Sequence, residues 1–234
     1  MAVFVLSDTH LSFSVKKPMD VFGSRWSGHE KKIKAAWEKT VGQNDTVIIG
    51  GDVSWAMSLD EALPDLEFLE RLNGNKILLR GNHDYWWSTM RKLETFCLEN
   101  RLSTIRFLHN NAYNAERFTV CGSRGWYYEK KNAPAETDYQ KIVAREAGRL
   151  EMSLAAGEKI REGREIVAFL HFPPVFADFV CPELIKVMKS HGVKRCCYGH
   201  IHGVYDMPGS FEYDGMIFTQ TAADFLDFKP LELT

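Results

Sequence analysis

Five times along this chain an apolar run of strand length stops at a side chain able to bind a metal ion. Val3 to Leu6 ends at Asp8-Thr9-His10, Thr46 to Ile49 at Gly51-Asp52, and Lys76 to Leu79 at Gly81-Asn82-His83-Asp84. Ile166 to Leu170 ends at His171, and Arg195 to Tyr198 at Gly199-His200-Ile201-His202. Short, fully apolar runs read as buried strands of a parallel sheet, and open α/β sheets bind ligands at the carboxyl ends of their strands. The pattern restricts the chain to folds that gather those ends at one edge.

Helical periodicity separates the first three runs, at His29 to Val41, Asp60 to Leu72 and Tyr85 to Leu98, which makes the first half β-α-β-α-β-α. Leu11 to Gly28 carries Pro18, Gly23 and Gly28 and reads as a loop. The second half offers shorter strands at Ile105 to Leu108, Ala112 to Asn114 and Phe118 to Cys121, a long polar helix at Thr137 to Glu162, and a helix at Pro182 to His191. Phe211 to Tyr213 and Met216 to Gln220 flank a hairpin turn at Asp214-Gly215. No repeat or linker divides the 234 residues, so one domain over 1–234 with two facing sheets is expected.

A net charge of −2 gives no overall pull toward nucleic acid or membrane, so any attraction for phosphate has to be local. Cys97, Cys121, Cys181, Cys196 and Cys197 are odd in number and irregularly spaced, which argues for reduced thiols rather than a disulfide framework. Cys196 and Cys197 are neighbours in a strand and face opposite sides. The N-terminal apolar run is too short for a signal segment and no stretch reaches membrane-span length; a cytoplasmic protein is expected.

The carboxylates of Asp8 and Asp52, the amide of Asn82 and the imidazoles of His10, His171, His200 and His202 are enough for two adjacent metal sites. Asp8 and His10, like His200 and His202, are two residues apart and share a side in extended backbone. Gly50, Gly51 and Gly81 remove side chains where backbone has to approach the ions. Mixed oxygen and imidazole donors suit Mn, Fe or Zn, whereas calcium wants more oxygens and structural zinc wants thiolates. Two divalent ions outweigh two carboxylates, so the centre stays cationic, attracts phosphate and can ionise water near neutral pH. His83, next to Asn82, should face another way, as general acid or as a donor to a phosphate oxygen, with Asp84 fixing its tautomer and raising its pKa. His29, His109 and His191 receive no chemical role; His191 falls at a helix C-terminus.

The blocks D-x-H, G-D, G-N-H-D, H and G-H-x-H, in that order from Asp8 to His202, resemble the calcineurin-like metallophosphoesterase superfamily. The resemblance implies a four-layer αββα sandwich, two mixed β-sheets flanked by helices. It implies that Asp8, His10 and His202 hold one metal, that Asn82, His171 and His200 hold the other, and that Asp52 bridges them. His83 takes the place of the family's catalytic histidine, with Asp84 orienting it. The implied activity is metal-dependent hydrolysis of phosphodiesters or phosphomonoesters by a hydroxide that the two metals activate. Nucleotide pyrophosphate hydrolysis is one alternative, and a non-catalytic protein-binding scaffold of the same fold another. The implied cofactors are two divalent or trivalent ions, manganese first, with iron or zinc as alternatives. The absence of a strong basic stripe points to a small phosphorylated substrate and away from sequence-specific nucleic-acid binding.

Aromatic residues gather beside these blocks. Trp55 and Trp126 are candidates to stack on a substrate ring, and Arg124, flanked by glycines at a strand end, to grip phosphate. Trp86 and Trp87 read as core residues of a helix start. Glu129 to Pro134 reads as a solvated surface insertion, or, with its neighbours over 126–162, as a lid.

Overall fold

The structure is a computed structural model that describes residues 1–127 and 136–234. Strands β1 (Val3–Leu6), β2 (Thr46–Ile49), β3 (Asn75–Leu79) and β4 (Ile105–Leu108) pair in parallel in that order, and β13 (Leu231–Glu232) adds antiparallel to the free edge of β1. The second sheet runs β11 (Ser210–Tyr213), β12 (Met216–Gln220), β10 (Arg195–Tyr198), β7 (Glu165–Leu170), β6 (Phe118–Ser123) and β5 (Ala112–Ala115). Its four inner strands are parallel and its two edge strands antiparallel, so both sheets are mixed. A short hairpin joins β8 (Val175–Phe176) to β9 (Phe179–Val180). The helices are α1 (His29–Thr40), α2 (Leu59–Arg71), α3 (Met90–Glu99), α4 (Glu136–Ile160) and α5 (Pro182–Ser190).

Strand alternation builds the layers. In β1, Phe4 and Leu6 join Trp37 of α1, Leu66 of α2 and Leu93 of α3 in one core. Val3 and Val5 turn the other way and meet Val120, Val167 and Phe169 of the second sheet. A third core sets Ala168, Leu170 and Cys196 against Leu150 and Leu154 of α4 and Leu184 and Met188 of α5. Three apolar layers between helices, sheet, sheet and helices make the αββα sandwich. Cys196 lies in the helix-facing core and its neighbour Cys197 between the sheets, as strand geometry requires. All five cysteines are free and buried, and no helix among the described residues is long and apolar enough to cross a membrane.

Several boundaries differ from expectation. The third helix begins at Met90 rather than Tyr85, because Thr89 caps it by accepting from the Lys92 N–H, while Tyr85 and Trp86 form a turn and Trp86 Nε1–H and Trp87 N–H donate to Asp84. The long helix stops at Ile160, short of Glu162, which adopts φ 46° just before the left-handed Gly163. Within the expected loop from Leu11 to Gly28, Met19–Phe22 and Ser24–Trp26 form short 3-10 turns. The small strands β8, β9 and β13 are too short to show a period. Glu129 to Pro134 lies outside the described residues.

His191 caps α5, and its ring crosses to α4: Nε2 bonds Glu151 at 2.9 Å, and Nδ1 lies 2.9 Å from Glu158, an ion-pair distance without hydrogen-bond alignment. Burial opposes its charge, but the two carboxylates outweigh burial and hold its pKa above the ordinary 6.5. A raised folded value stabilises fully below the unfolded value and is lost as pH rises through the folded one. His191→Gln should therefore lower the melting temperature at pH 6 by the equivalent of about 0.5–1 kcal/mol, with little effect at pH 9. Equal losses at both pH values would show that charge is not involved.

Candidate metal centre

The ladder between β1 and β2 continues past both strands. Asp8 N–H donates to Gly51 O, His10 N–H to Asp52 O and Leu11 N–H to Val53 O, at 2.9, 3.0 and 2.9 Å. This zipper holds Asp8, His10 and Asp52 side by side. The second sheet is joined at the same edge: Ser7 N–H donates to Thr221 O at 2.8 Å, and the Ser7 and Thr221 hydroxyls lie 2.8 Å apart. Donors from strands of both sheets thus reach one point. Gly199 lets β10 pass against β1, since a Cβ there would collide with Asp8 Oδ2 and lie 2.7 Å from Ser7 Cβ; one on Gly81 would collide with the Asp52 carboxylate.

Asp8, Asp52, His10 and His200 all have positive φ, 61°, 50°, 44° and 71°. Left-handed backbone is costly for such residues and gathers at functional sites. It also corrects the expectation of extended backbone at Asp8-x-His10 and His200-x-His202: Asp8 and His10 meet because the chain coils. His200 and His202 part company. The His202 ring sits 5.2 Å from His10, and the His200 ring 5.3 Å from His171.

Ligating atoms of Asp8, His10 and His202 lie within 4.8 Å of one another, as do those of Asp8, Asp52 and His171. His10 Nε2 is 3.2 Å from His202 Nε2, and His202 Nε2 is 3.3 Å from Asp8 Oδ1. On the other side His171 Nε2 is 2.6 Å from Asn82 Oδ1 and 3.5 Å from Asp52 Oδ2. Asp52 Oδ2 is also 3.7 Å from His10 Nε2, so it faces both groups. Bonds of about 2.0–2.2 Å to one ion place neighbouring donors roughly 3–3.5 Å apart, which matches the 3.2, 3.3 and 3.5 Å separations, while the His171–Asn82 pair at 2.6 Å is closer and His10–Asp52 at 3.7 Å wider.

The charges fit cations as well. Burial, then the neighbouring carboxylates of Asp8 and Asp84, push the Asp52 pKa well above the ordinary range. Burial holds His171 down at about 3, and burial with the His202, His83 and His171 rings holds His10 low, so both offer neutral lone pairs. His202 is the exception: burial lowers its pKa, but Asp8 and Asp224 outweigh burial and raise it to about 10. Crowded carboxylates that recruit a proton to one imidazole are the electrostatics of a cation site.

The tautomers are set from behind. His171 Nδ1 is 3.1 Å from Gly50 O, which leaves Nε2 for the cluster. His202 Nδ1 is 2.9 Å from the buried Asp224, which also accepts from Gly203 N–H and Tyr205 OH at 2.9 Å each. His10 is held by rings, stacked on Trp55 at 4.9 Å and edge-on to Trp26 at 5.8 Å; its Nδ1 has no hydrogen-bond partner among the described residues. Asp224 escaped the sequence reading, although it follows a strand end as the recognised residues do. Asp224→Asn should weaken metal binding about 10–100-fold, measured by competition with a chelator. His29, given no role, lies beneath the same loop with Nε2 3.3 Å from the His10 carbonyl.

Asp84 does not orient His83. One of its oxygens accepts from Val53 N–H (2.8 Å), Ser54 N–H (3.2 Å) and Trp86 Nε1–H (2.9 Å), and the other from Gly81 N–H (2.7 Å). It clamps the Asp52 loop to the Gly81-Asn82 loop, while His83 Nδ1 has no hydrogen-bond partner among the described residues. His83 borders the cluster, with Nε2 4.0 Å from Asp52 Oδ2 and its ring 4.3 Å from Trp55. Burial and the His200 charge bring its pKa down to about 4.

Arg124 has a different partner from the one expected. With Arg145 and Arg149 it surrounds the fully buried Glu146, whose Oε1 lies 3.7, 3.7 and 2.7 Å from the three guanidinium groups. Three guanidinium groups thus share one buried carboxylate, and Arg124 Nε has no hydrogen-bond partner among the described residues. Trp126 packs on Phe172 and the helix-facing core, with ring centres 5.4 Å apart. Trp86 and Trp87 are buried in the core of α1 to α3, as read.

The model of the calcineurin-like phosphoesterase family matches residues 1–204. No curated protein matches the chain significantly. Among solved structures, TT1561 of Thermus thermophilus is 13% identical with a TM-score of 0.57, covering 99% of this chain and 97% of its own. A phosphopantetheinyl hydrolase from Mycobacterium tuberculosis is 15% identical with a TM-score of 0.54, covering 99% and 95%. The protein AQ665 from Aquifex aeolicus is 15% identical with a TM-score of 0.52, over the same shares. At these identities the likeness is one of fold, and the αββα architecture agrees with it. The match over most of the length, on a chain whose strand ends converge on one cluster of metal-binding side chains, shows that it belongs to the calcineurin-like phosphoesterase family, a family of metal-dependent hydrolases.

Proposed function

We propose that this chain hydrolyses small phosphoesters at a dinuclear centre. Asp8, His10 and His202 hold one ion, Asn82, His171 and His200 hold the other, and Asp52 bridges them. The carrying observation is that Asp52 Oδ2 faces His10 Nε2 on one side and His171 Nε2 on the other, at 3.7 and 3.5 Å. The phosphopantetheinyl hydrolase among the similar folds supports a phosphohydrolase reading. Ions bound here supply charge neutralisation for the phosphoryl oxygens and an ionised water near neutral pH. Manganese suits the donor set, with iron and zinc as alternatives.

The chain's own groups do the rest. The neutral His83 ring stands at the rim of the cluster, where its N–H can donate to the leaving oxygen or to a phosphoryl oxygen. His83 N–H donates to Asp52 Oδ1 at 2.7 Å, so one residue both braces the bridging carboxylate and presents the imidazole. Water adds to phosphorus, the phosphorus–oxygen bond to the leaving group breaks, and the proton that the water gives up ends on that leaving oxygen. The test is release of p-nitrophenol from p-nitrophenyl phosphate and its bis ester with added Mn²⁺. Absence of turnover on a phosphoester panel, with bound metal verified, would refute the proposal.

A further inference from the structure

Trp55, His83 and Tyr85 line a cleft of about 580 Å³ that opens beside the metal centre. Asp84 does not hold the His83 ring; neighbouring rings do, Trp55 at 4.3 Å and Tyr85 edge-on at 6.1 Å. Trp55 also stacks on His10, and the Lys17 ammonium lies 4.4 Å over its ring, so it is not the free stacking surface that the sequence suggested. Where Trp55 stands therefore sets how the His83 imidazole is presented.

The backbone that carries Trp55 is pinned on both sides. Trp55 N–H donates to Leu11 O at 2.9 Å, Ser54 N–H to Asp84 Oδ1 at 3.2 Å, and Ala56 N–H to Ser54 Oγ at 3.0 Å. The Ser54 hydroxyl in turn donates to Oδ2 of Asp65 on α2, whose Oδ1 accepts the Phe13 N–H at 2.8 Å. Asp65 is fully buried, and its helix neighbours Leu66 and Leu69 belong to the apolar core. Burying a carboxylate there is costly unless hydrogen bonds offset it. Both of these bonds leave the helix for the loops that follow Asp8-x-His10 and Asp52. We infer that Asp65 is a positioning residue of the hydrolytic site, acting through Ser54 and Trp55 on the His83 imidazole. The inference rests on the phosphohydrolase reading, which gives His83 its role. Misplacing a reacting group by an ångström costs as much as about 10²-fold in rate, so a brace at this remove is felt in turnover.

The test is a double-mutant cycle on p-nitrophenyl phosphate with the metal-loaded full chain. Ser54→Ala leaves Asp65 Oδ2 without its donor. It should cut kcat about tenfold, with KM unchanged within about twofold and both ions retained. In a His83→Ala background the same substitution should cost less than about twofold, because the group it positions is gone. Asp65→Asn, which keeps an acceptor for one of the two donors, should repeat the pattern. Ser58→Ala is the control. Ser58 caps α2 by accepting the Glu61 N–H at 3.3 Å, so its loss weakens the same helix from the other side of Trp55. Its effect on kcat should be the same with His83 or without. Equal losses in the two backgrounds for either brace variant, or loss of bound metal along with turnover, overturn the inference and leave phosphoester hydrolysis intact. If no phosphoester is turned over, the phosphohydrolase reading fails and NMR judges the positioning separately. The Trp55 ring current shifts the His83 ring protons, which are identified by their absence in His83→Ala. Ser54→Ala should move them toward their position in Trp55→Leu, and Ser58→Ala should not; unmoved signals in Ser54→Ala overturn the inference.

Discussion

Asp52→Asn should strip both ions and reduce phosphoester turnover at least about 10²-fold. Its Oδ2 is the atom that faces His10 and His171, and its Oδ1 accepts the His83 N–H. The amide is close to isosteric, so folding is preserved, but one oxygen becomes a donor and the negative charge is gone. Asp8 is then left as the single carboxylate among the proposed ligands. Elemental analysis of the purified variant gives the first readout. A second comes from stability. Burial and the nearby Asp8 and Asp84 raise the Asp52 pKa, so the ionised carboxylate destabilises the metal-free fold above its unfolded pKa. Metal-free Asp52→Asn should therefore melt no lower than the metal-free wild type, and the wild type should gain on it as pH falls. Two retained ions with full turnover would remove Asp52 from the centre.

His83→Ala should behave oppositely, keeping its ions while turnover falls by about 10²–10⁴-fold. The separation follows from which atoms of His83 do what. Its backbone N–H holds Asp52 and survives the substitution, whereas its ring is the part lost. The ring touches Trp55 and Tyr85 at the cleft and stands 4.0 Å from Asp52 Oδ2. Because its pKa lies near 4, it is neutral at pH 7 and serves through a donated N–H rather than as a fixed positive charge. Wild-type turnover in the variant would take His83 out of the chemistry; loss of metal would make its ring a ligand or a structural prop. Asp84 gives a control. Since it clamps two loops and does not reach the His83 ring, Asp84→Asn should lower stability and metal content together.

Much of this was legible in the residues. The donor types were, because a carboxylate, amide or imidazole at a strand end keeps its chemistry whatever surrounds it. The parallel run of β1 to β3 was, because crossover helices leave a 3.6-residue period between apolar runs; the place of β4 in the same sheet was not. The core placement of Trp86 and Trp87 was legible too. The turn before α3 was not, because Thr89 and Asp84 had to be recognised as caps and anchors rather than as members of a helical stripe.

What the sequence determined alone is the inventory: which side chains can bind metal, in what order, and that they stand at strand ends. Which of them share a neighbour was decided by the tertiary structure. Asp84 clamps Val53 and Gly81 instead of His83, Asp224 holds His202 from 22 residues away, and Glu146 brings Arg124 together with Arg145 and Arg149. The physical reason is that a hydrogen bond or ion pair depends on distances of a few tenths of an ångström. Those distances are fixed by how two sheets and their helices pack, and no local pattern records them.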